Sequence, residues 1–152
     1  NESASALNNQ TQHVERIDQQ RLLPGKKMGM GDVKGKVLPK VSLLSKSINE
    51  NSIVSRYFTP YSCHETHAVT GTCCVASSCL IPGTIGFNLL KKNESLDLKS
   101  EIIKIEHPMG TIDCSITLNS NFKNNLISKK NLINSCGVYR TSRILMKGQV
   151  YF

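Results

Sequence analysis

The sequence predicts an α+β fold, a mixed and mostly antiparallel sheet with one buried helix. Three observations carry that expectation. Several short segments alternate polar and apolar residues with a period of two, the mark of half-buried strands. The stretch 70–80, Thr70-Gly71-Thr72-Cys73-Cys74-Val75-Ala76-Ser77-Ser78-Cys79-Leu80, holds no charged residue, and a helix without a charged face is normally enclosed on all sides. No segment repeats itself at a solenoid-like period, so one packed lobe is expected rather than an array.

Each element follows from local chemistry. Residues 1–9 are polar and read as a ragged start. In 11–23, Val14, Ile17 and Leu22 or Leu23 fall near helical spacing and Pro24-Gly25 closes the run, giving a surface helix. Residues 24–36, rich in Gly and Lys, read as a linker, so the chain divides into an N-terminal helix and linker (1–36) and a lobe (37–152). Strands are expected at 39–46 and 52–58. The uncharged helix follows, with a Thr70 or Thr72 hydroxyl as its cap and Pro82-Gly83 as its stop. Beyond it lie a strand at 83–90, a charged turn at 91–98 and a half-buried strand at 99–106. A turn at His107-Pro108-Met109-Gly110 leads into 111–118, where Ile112, Cys114, Ile116 and Leu118 share a face. A polar loop at 119–130 and final strands at 133–141 and 144–152 complete the reading.

Composition narrows the function classes. The chain has 152 residues, 39% of them apolar, enough for one domain with a core or for one lobe of something larger. No run approaches the ~18 apolar residues of a membrane span, and no basic start followed by an apolar stretch marks a secretory signal. The first residue is Asn1, which reads as a processed or truncated piece. Six cysteines without a secretory signal indicate reduced thiols in the cytoplasm. The net charge of +8 comes from scattered lysine pairs without interleaved aromatics, so anionic small molecules suit it better than nucleic acid.

Candidate site residues cluster around the helix start. Bare amides at Thr70, Gly71 and Thr72 make an anion site or simply end a buried helix, and Gly71 would let a ligand approach. His64 and His67 read equally as ligand contacts or as polar residues at a loop mouth. His107 is a turn residue or a site residue, and Arg140 and Arg143 pair with carboxylates or sit solvated on a strand edge. Cys63, Cys73, His64, His67 and His107 lack the paired spacing of a zinc frame, so no metal is assigned. Cys73 and Cys74 are read as buried, inert thiols.

The order of motifs then adds a resemblance. Met28-Gly29 precedes Pro39-Lys40-Val41; His64, Ala68-Val69-Thr70-Gly71, Ile81-Pro82-Gly83-Thr84, His107-Pro108 with Gly110-Thr111, and Arg140-Thr141-Ser142-Arg143-Ile144-Leu145-Met146-Lys147-Gly148 follow. This series resembles the C-terminal half of the PrpF family, which includes 2-methylaconitate cis–trans isomerase, methylitaconate delta-isomerase and 4-oxalomesaconate tautomerase. The resemblance implies one diaminopimelate epimerase-like lobe, its sheet curled around the central helix, with substrate held between two such lobes. It further implies cofactor-free proton transfer that moves a double bond in a small di- or tricarboxylate. Substrate-binding roles would fall to His64, His67, Thr70, Gly71 and Thr72, with His107, Arg140 and Arg143 as further candidates. The family's Asn-Cys-Gly-Asn motif is absent, and Cys136 stands instead in Asn134-Ser135-Cys136-Gly137. The catalytic residue is therefore unassigned, and the lobe is expected to be inactive without an N-terminal partner lobe. The alternative is a non-catalytic binding or structural remnant, favoured by Glu65 where a lysine often stands, by the absent catalytic motif and by the Asn-rich loops. Met109 is a further departure, standing where a serine is common after His-Pro. The apolar last strand, left unpaired, would invite self-association into homo-oligomers.

Overall fold

The structure is a computed structural model describing residues 2–90, 100–119 and 132–151. Two helices open the chain, α1 (Ala4–Asn8) and α2 (Thr11–Lys27). Strands β1 (Val41–Lys46), β2 (Ser52–Thr59) and β3 (Ser62–Cys63) follow, then helices α3 (Val69–Ser78) and α4 (Ile85–Leu90). Strands β4 (Glu101–His107), β5 (Gly110–Leu118) and β6 (Ile133–Val138) complete the elements.

The strands form one sheet in the order β1-β2-β4-β5-β6, with β3 paired to the end of β2. Every pairing is antiparallel except β2 with β4, which is parallel. A parallel pair needs a crossover connection, and α3 and α4 lie in that crossover. The sheet is therefore mixed and mostly antiparallel, as its alternating segments predict.

Period-two alternation sends β2 into two cores at once. Ile53 faces α3 with Ile103 and Ile105 of β4 and Cys114, Ile116 and Leu118 of β5, where Val75, Ala76, Cys79 and Leu80 close the cluster. Phe58 belongs to the second cluster, with Ala4, Leu7, Val14, Ile17 and Cys63. The N-terminal helices thus cover the sheet at the β1–β3 end. Asn8 anchors them by accepting from the Cys63 amide at 2.6 Å while its own amide donates to the Cys63 carbonyl at 3.2 Å.

Five expectations need correction. Residues 1–9 are no ragged start: the Ser3 hydroxyl caps α1 at the Ala6 amide, and Ala4 and Leu7 are buried with Phe58. Helix α2 runs on through Pro24 and Gly25 to Lys27. A proline in a last turn forfeits one bond without stopping the helix. Gly25 is buried so close to Val33 that a Cβ there would lie 2.7 Å from its Cγ2. Next, 83–90 is no strand. Thr84 donates its hydroxyl to the Ser78 and Ile81 carbonyls and accepts from the Phe87 amide at 3.2 Å, which starts α4. The threonine cap was hidden behind Pro82-Gly83. Residues 144–151 form no strand, because this chain offers them no ladder partner among the described residues; Ile144, Leu145, Met146, Val150 and Tyr151 are exposed. Finally, α3 is enclosed on one side only: Val69, Thr70 and Cys74 are exposed. The expected turn at 91–98 and most of the loop at 119–130 lie outside the described residues, and β6 ends at Val138 rather than 141.

Candidate functional site

Helix α3 begins at Val69, with Ala68 at the cap position and no side chain capping it. The first intrahelical bond is Thr72 N–H to the Ala68 carbonyl at 2.8 Å. The amides of Val69, Thr70 and Gly71 precede it and have no partner within the helix, the usual state of a first turn. Neither threonine caps. Thr72 is fully buried and points its hydroxyl back to the Ala68 carbonyl at 3.0 Å.

Beneath this turn His67 joins helix to sheet. Since the Thr72 hydroxyl donates to Ala68, its oxygen is free to accept from His67 Nδ1 at 3.2 Å, and the Ala68 carbonyl accepts from the same nitrogen at 3.3 Å. Nε2 is then the acceptor, and Ser55 Oγ on β2 donates to it at 3.0 Å. The network thus assigns a neutral imidazole protonated on Nδ1. Burial pushes the His67 pKa down; the Ala68 carbonyl opposes this, while nearby His107 and His64 add to it. Tyr57 packs on the imidazole with ring centroids 4.4 Å apart.

Tyr57 also explains Gly71. A Cβ at Gly71 would meet Tyr57 Cε2 at 2.6 Å and His67 Cε1 at 3.1 Å. The missing side chain therefore serves the packing of α3 on the sheet, where the sequence had suggested room for a ligand. Above Tyr57 stands Lys40, its Nζ 5.5 Å from the ring centroid, a cation–π arrangement.

A groove of about 450 Å³ opens along the outward side of α3. Thr70, Gly71, Cys74 and Ser78 form its helical wall, facing Lys40, Ser42 and Tyr57. Met28, Met30, Leu38 and Pro39 complete the rim. The rim loop is fastened by Arg21, buried and bonded through Nε to Asp18 at 2.5 Å and through Nη1 to the Val33 and Leu38 carbonyls at 3.0 and 3.2 Å. The groove thus combines a lysine, unused amides at a positive helix end and an apolar floor, which suits a carboxylate on a short carbon chain.

Of the residues proposed from sequence, Thr70 and Gly71 line the groove, whereas His67 and Thr72 lie buried beneath it. His64 is exposed beside Tyr57, its ring centroid 6.4 Å away. His107 ends β4, where its Nδ1 accepts from the Met109 amide at 3.3 Å, and the same amide donates to the Glu65 carbonyl at 3.2 Å. This ties the His107 turn to the loop before α3. Burial lowers the His107 pKa, with the Glu65 carbonyl acting in the opposite sense. Arg140 and Arg143 lie on the exposed segment after β6 and are not among the residues lining the groove. Sequence reasoning assigned no role to Tyr57 or Ser55, which β2 delivers from ten or more positions away. Lys40 stood in a quoted motif, but its place over Tyr57 needs the fold to be seen.

Residues 1–152 match the family described as "PrpF protein". The chain belongs to the PrpF family. Among its curated relatives, YbhH of Escherichia coli (strain K12), a protein named for the isomerase class, is 35% identical over 138 residues, covering 91% of this chain and 36% of its own. The 4-oxalomesaconate tautomerase of Pseudomonas putida (strain KT2440) is 32% identical over 135 residues, covering 89% and 34%. A crystal structure of methylitaconate-delta-isomerase shares the fold with a TM-score of 0.64 at 22% identity, over 91% of this chain and 39% of that one. This PrpF chain thus spans about a third of the length of the curated relatives it matches. No helix among the described residues is long and apolar enough to cross a membrane.

Proposed function

We propose that this chain is one lobe, the C-terminal one, of a cofactor-independent isomerase that relocates a proton, and with it a double bond, in an aconitate- or itaconate-like di- or tricarboxylate. The observation that carries the reading is the groove at the start of α3, where Lys40 and the first-turn residues Thr70 and Gly71 line one largely apolar space. One substrate carboxylate binds there. Deprotonation beside a second carboxylate or a ketone gives an anion delocalised onto oxygen, and fixed N–H donors stabilise that charge without reorganising. Relatives named as isomerases and tautomerases support the reaction class.

Proton transfer needs a base within hydrogen-bond reach of the carbon acid. The groove wall contains no carboxylate or imidazole among the described residues; its ionisable side chains are Lys40, Tyr57 and Cys74. The reading assigns the base to a facing N-terminal lobe, so that the chain by itself binds but does not turn over. The same observation favours a second reading, a non-catalytic carboxylate-binding or structural remnant of such an enzyme.

Calorimetric titration with aconitate and tricarballylate tests the groove. Binding is expected to weaken two- to fivefold in Lys40→Met, roughly the worth of a partly exposed charge, and to persist in Cys79→Ser. Undetectable binding by folded protein would remove the carboxylate site. Mixing with an N-terminal lobe of the family and following the absorbance of conjugated double bonds tests catalysis. Binding without turnover of any aconitate- or itaconate-like acid would leave the remnant reading standing and end the enzymatic one.

A further inference from the structure

The buried side of α3 holds a feature that the groove does not use. Cys73 on α3, Cys114 on β5 and Cys136 on β6 bring their sulfurs together, all within 4.8 Å of one another. Cys114 and Cys136 are closest, at 3.2 Å, and the Cys136 thiol also reaches the Cys73 carbonyl at 3.7 Å. The chain has six cysteines, all reduced in the structure. Half of them therefore meet at one point, contributed by three elements far apart in sequence.

We propose that Cys73, Cys114 and Cys136 form a three-sulfur binding site for a soft, thiophilic metal cation, of which monovalent copper is the type. The strand register argues against a disulfide as the purpose of the cluster. Cys114 stands opposite Val138, and Cys136 opposite Ile116, so the two cysteines are diagonal neighbours. Diagonal Cβ atoms in an antiparallel pair sit somewhat closer than ~7 Å, still beyond the ~4 Å of a relaxed disulfide. A metal ion bridges that gap. With metal–sulfur bonds of about 2.3 Å, three sulfurs in a plane lie about 4 Å apart. The present cluster reaches that spacing by shifts of under an ångström.

The donor set selects the ion. Sulfur ligands favour soft cations such as monovalent copper and zinc. Structural zinc takes four protein ligands, and no fourth histidine, cysteine or carboxylate joins this group among the described residues. Monovalent copper, the softer and singly charged ion, is stable with only two or three sulfur ligands, so three sulfurs satisfy it. Charge balance points the same way: a monovalent ion displaces one proton, and one thiolate with two thiols leaves the buried site neutral. Ligation by a thiolate displaces its proton, so uptake strengthens as pH rises. Entry is from the side of Cys73 and Cys136, which are half-buried, whereas Cys114 is fully buried. No motif announces this group, because the three cysteines share no metal-binding spacing.

The test uses the purified protein carrying Cys74→Ser, which removes the exposed thiol, under anaerobic conditions with ascorbate. Monovalent copper is titrated in competition with a chromophoric chelator. One ion per chain is expected, held at least a hundredfold more weakly in Cys136→Ser and unaffected by Cys79→Ser. X-ray absorption should show three sulfur neighbours. Unchanged affinity in Cys136→Ser, or a two-sulfur spectrum, would overturn the site. Circular dichroism confirms that Cys136→Ser is folded; should it not be, the sulfur count of the parent decides alone.

Discussion

The two sides of α3 are built from the same small, uncharged residues and meet opposite surroundings. Inward, Val75, Ala76 and Cys79 press on β4 and β5 with almost no exposure, and Thr72 is fully buried against His67. Outward, Thr70 and Cys74 face open groove, and Val69 is half exposed. A solvent-facing stripe normally gathers charge. An exposed stripe kept free of it is suited to meeting something other than bulk water, on the proposed reading a carboxylate and a second lobe.

The contrast can be broken most sharply from within. Ile105→Ala, in the strand facing the helix, should cost about 2–5 kcal/mol, as deletions of a fully buried side chain do. Its outward counterpart, Cys74→Ala, should stay within about 0.5 kcal/mol. Urea denaturation of both variants checks the pair, and comparable losses would mean that α3 is enclosed on both sides.

Gly71→Val probes the boundary between the two sides. The added Cβ meets the Tyr57 ring and the His67 imidazole, neither of which can fold away. A destabilisation of about 1–3 kcal/mol follows from overpacking, read as a lowered thermal midpoint. A midpoint equal to that of the parent would return Gly71 to the ligand-approach role that the sequence suggested. The substitution is accordingly a poor test of binding, since it acts on the fold first.

The smallest effect is in pH. His67 and His107 both have folded pKa values below that of a free imidazole because burial disfavours the charged ring. The unfolded chain therefore takes up protons first, and stability falls as pH drops below about 6.5 toward the lowered folded values. Above that pH the contribution is complete. His67→Gln should flatten part of the slope, leaving the share due to His107. A slope identical to the parent's would show that the Ser55–His67–Thr72 connection tolerates a charged ring.

The sequence made the sheet readable where alternation was strong. Ile112, Cys114, Ile116 and Leu118 are all buried on one face, as their spacing required, and Ile103 and Ile105 behave alike. The helix at 70–80 was readable from its lack of charge, but a lack of charge cannot distinguish an enclosed face from one awaiting a partner. α4 was missed because a six-residue helix has too little periodicity to reveal itself, and its Thr84 cap resembles any loop threonine. At the groove, Thr70 and Gly71 were visible as a helix start. Lys40 over Tyr57, and Tyr57 on His67, were not, since those contacts exist only once β1, β2 and α3 have come together.

The parallel junction between β2 and β4 bears on how the chain assembles. β1–β2 and β4–β5 are hairpins between sequence neighbours, so each closes a short loop at modest entropic expense. The junction joining them is brief, pairing Ser52, Ile53 and Val54 with Lys104, Ile105 and Glu106 across a long intervening stretch. Two locally closed hairpins are thus joined along a narrow seam. The helix lying over both sides of that seam is the piece whose arrival turns a pair of ribbons into one domain.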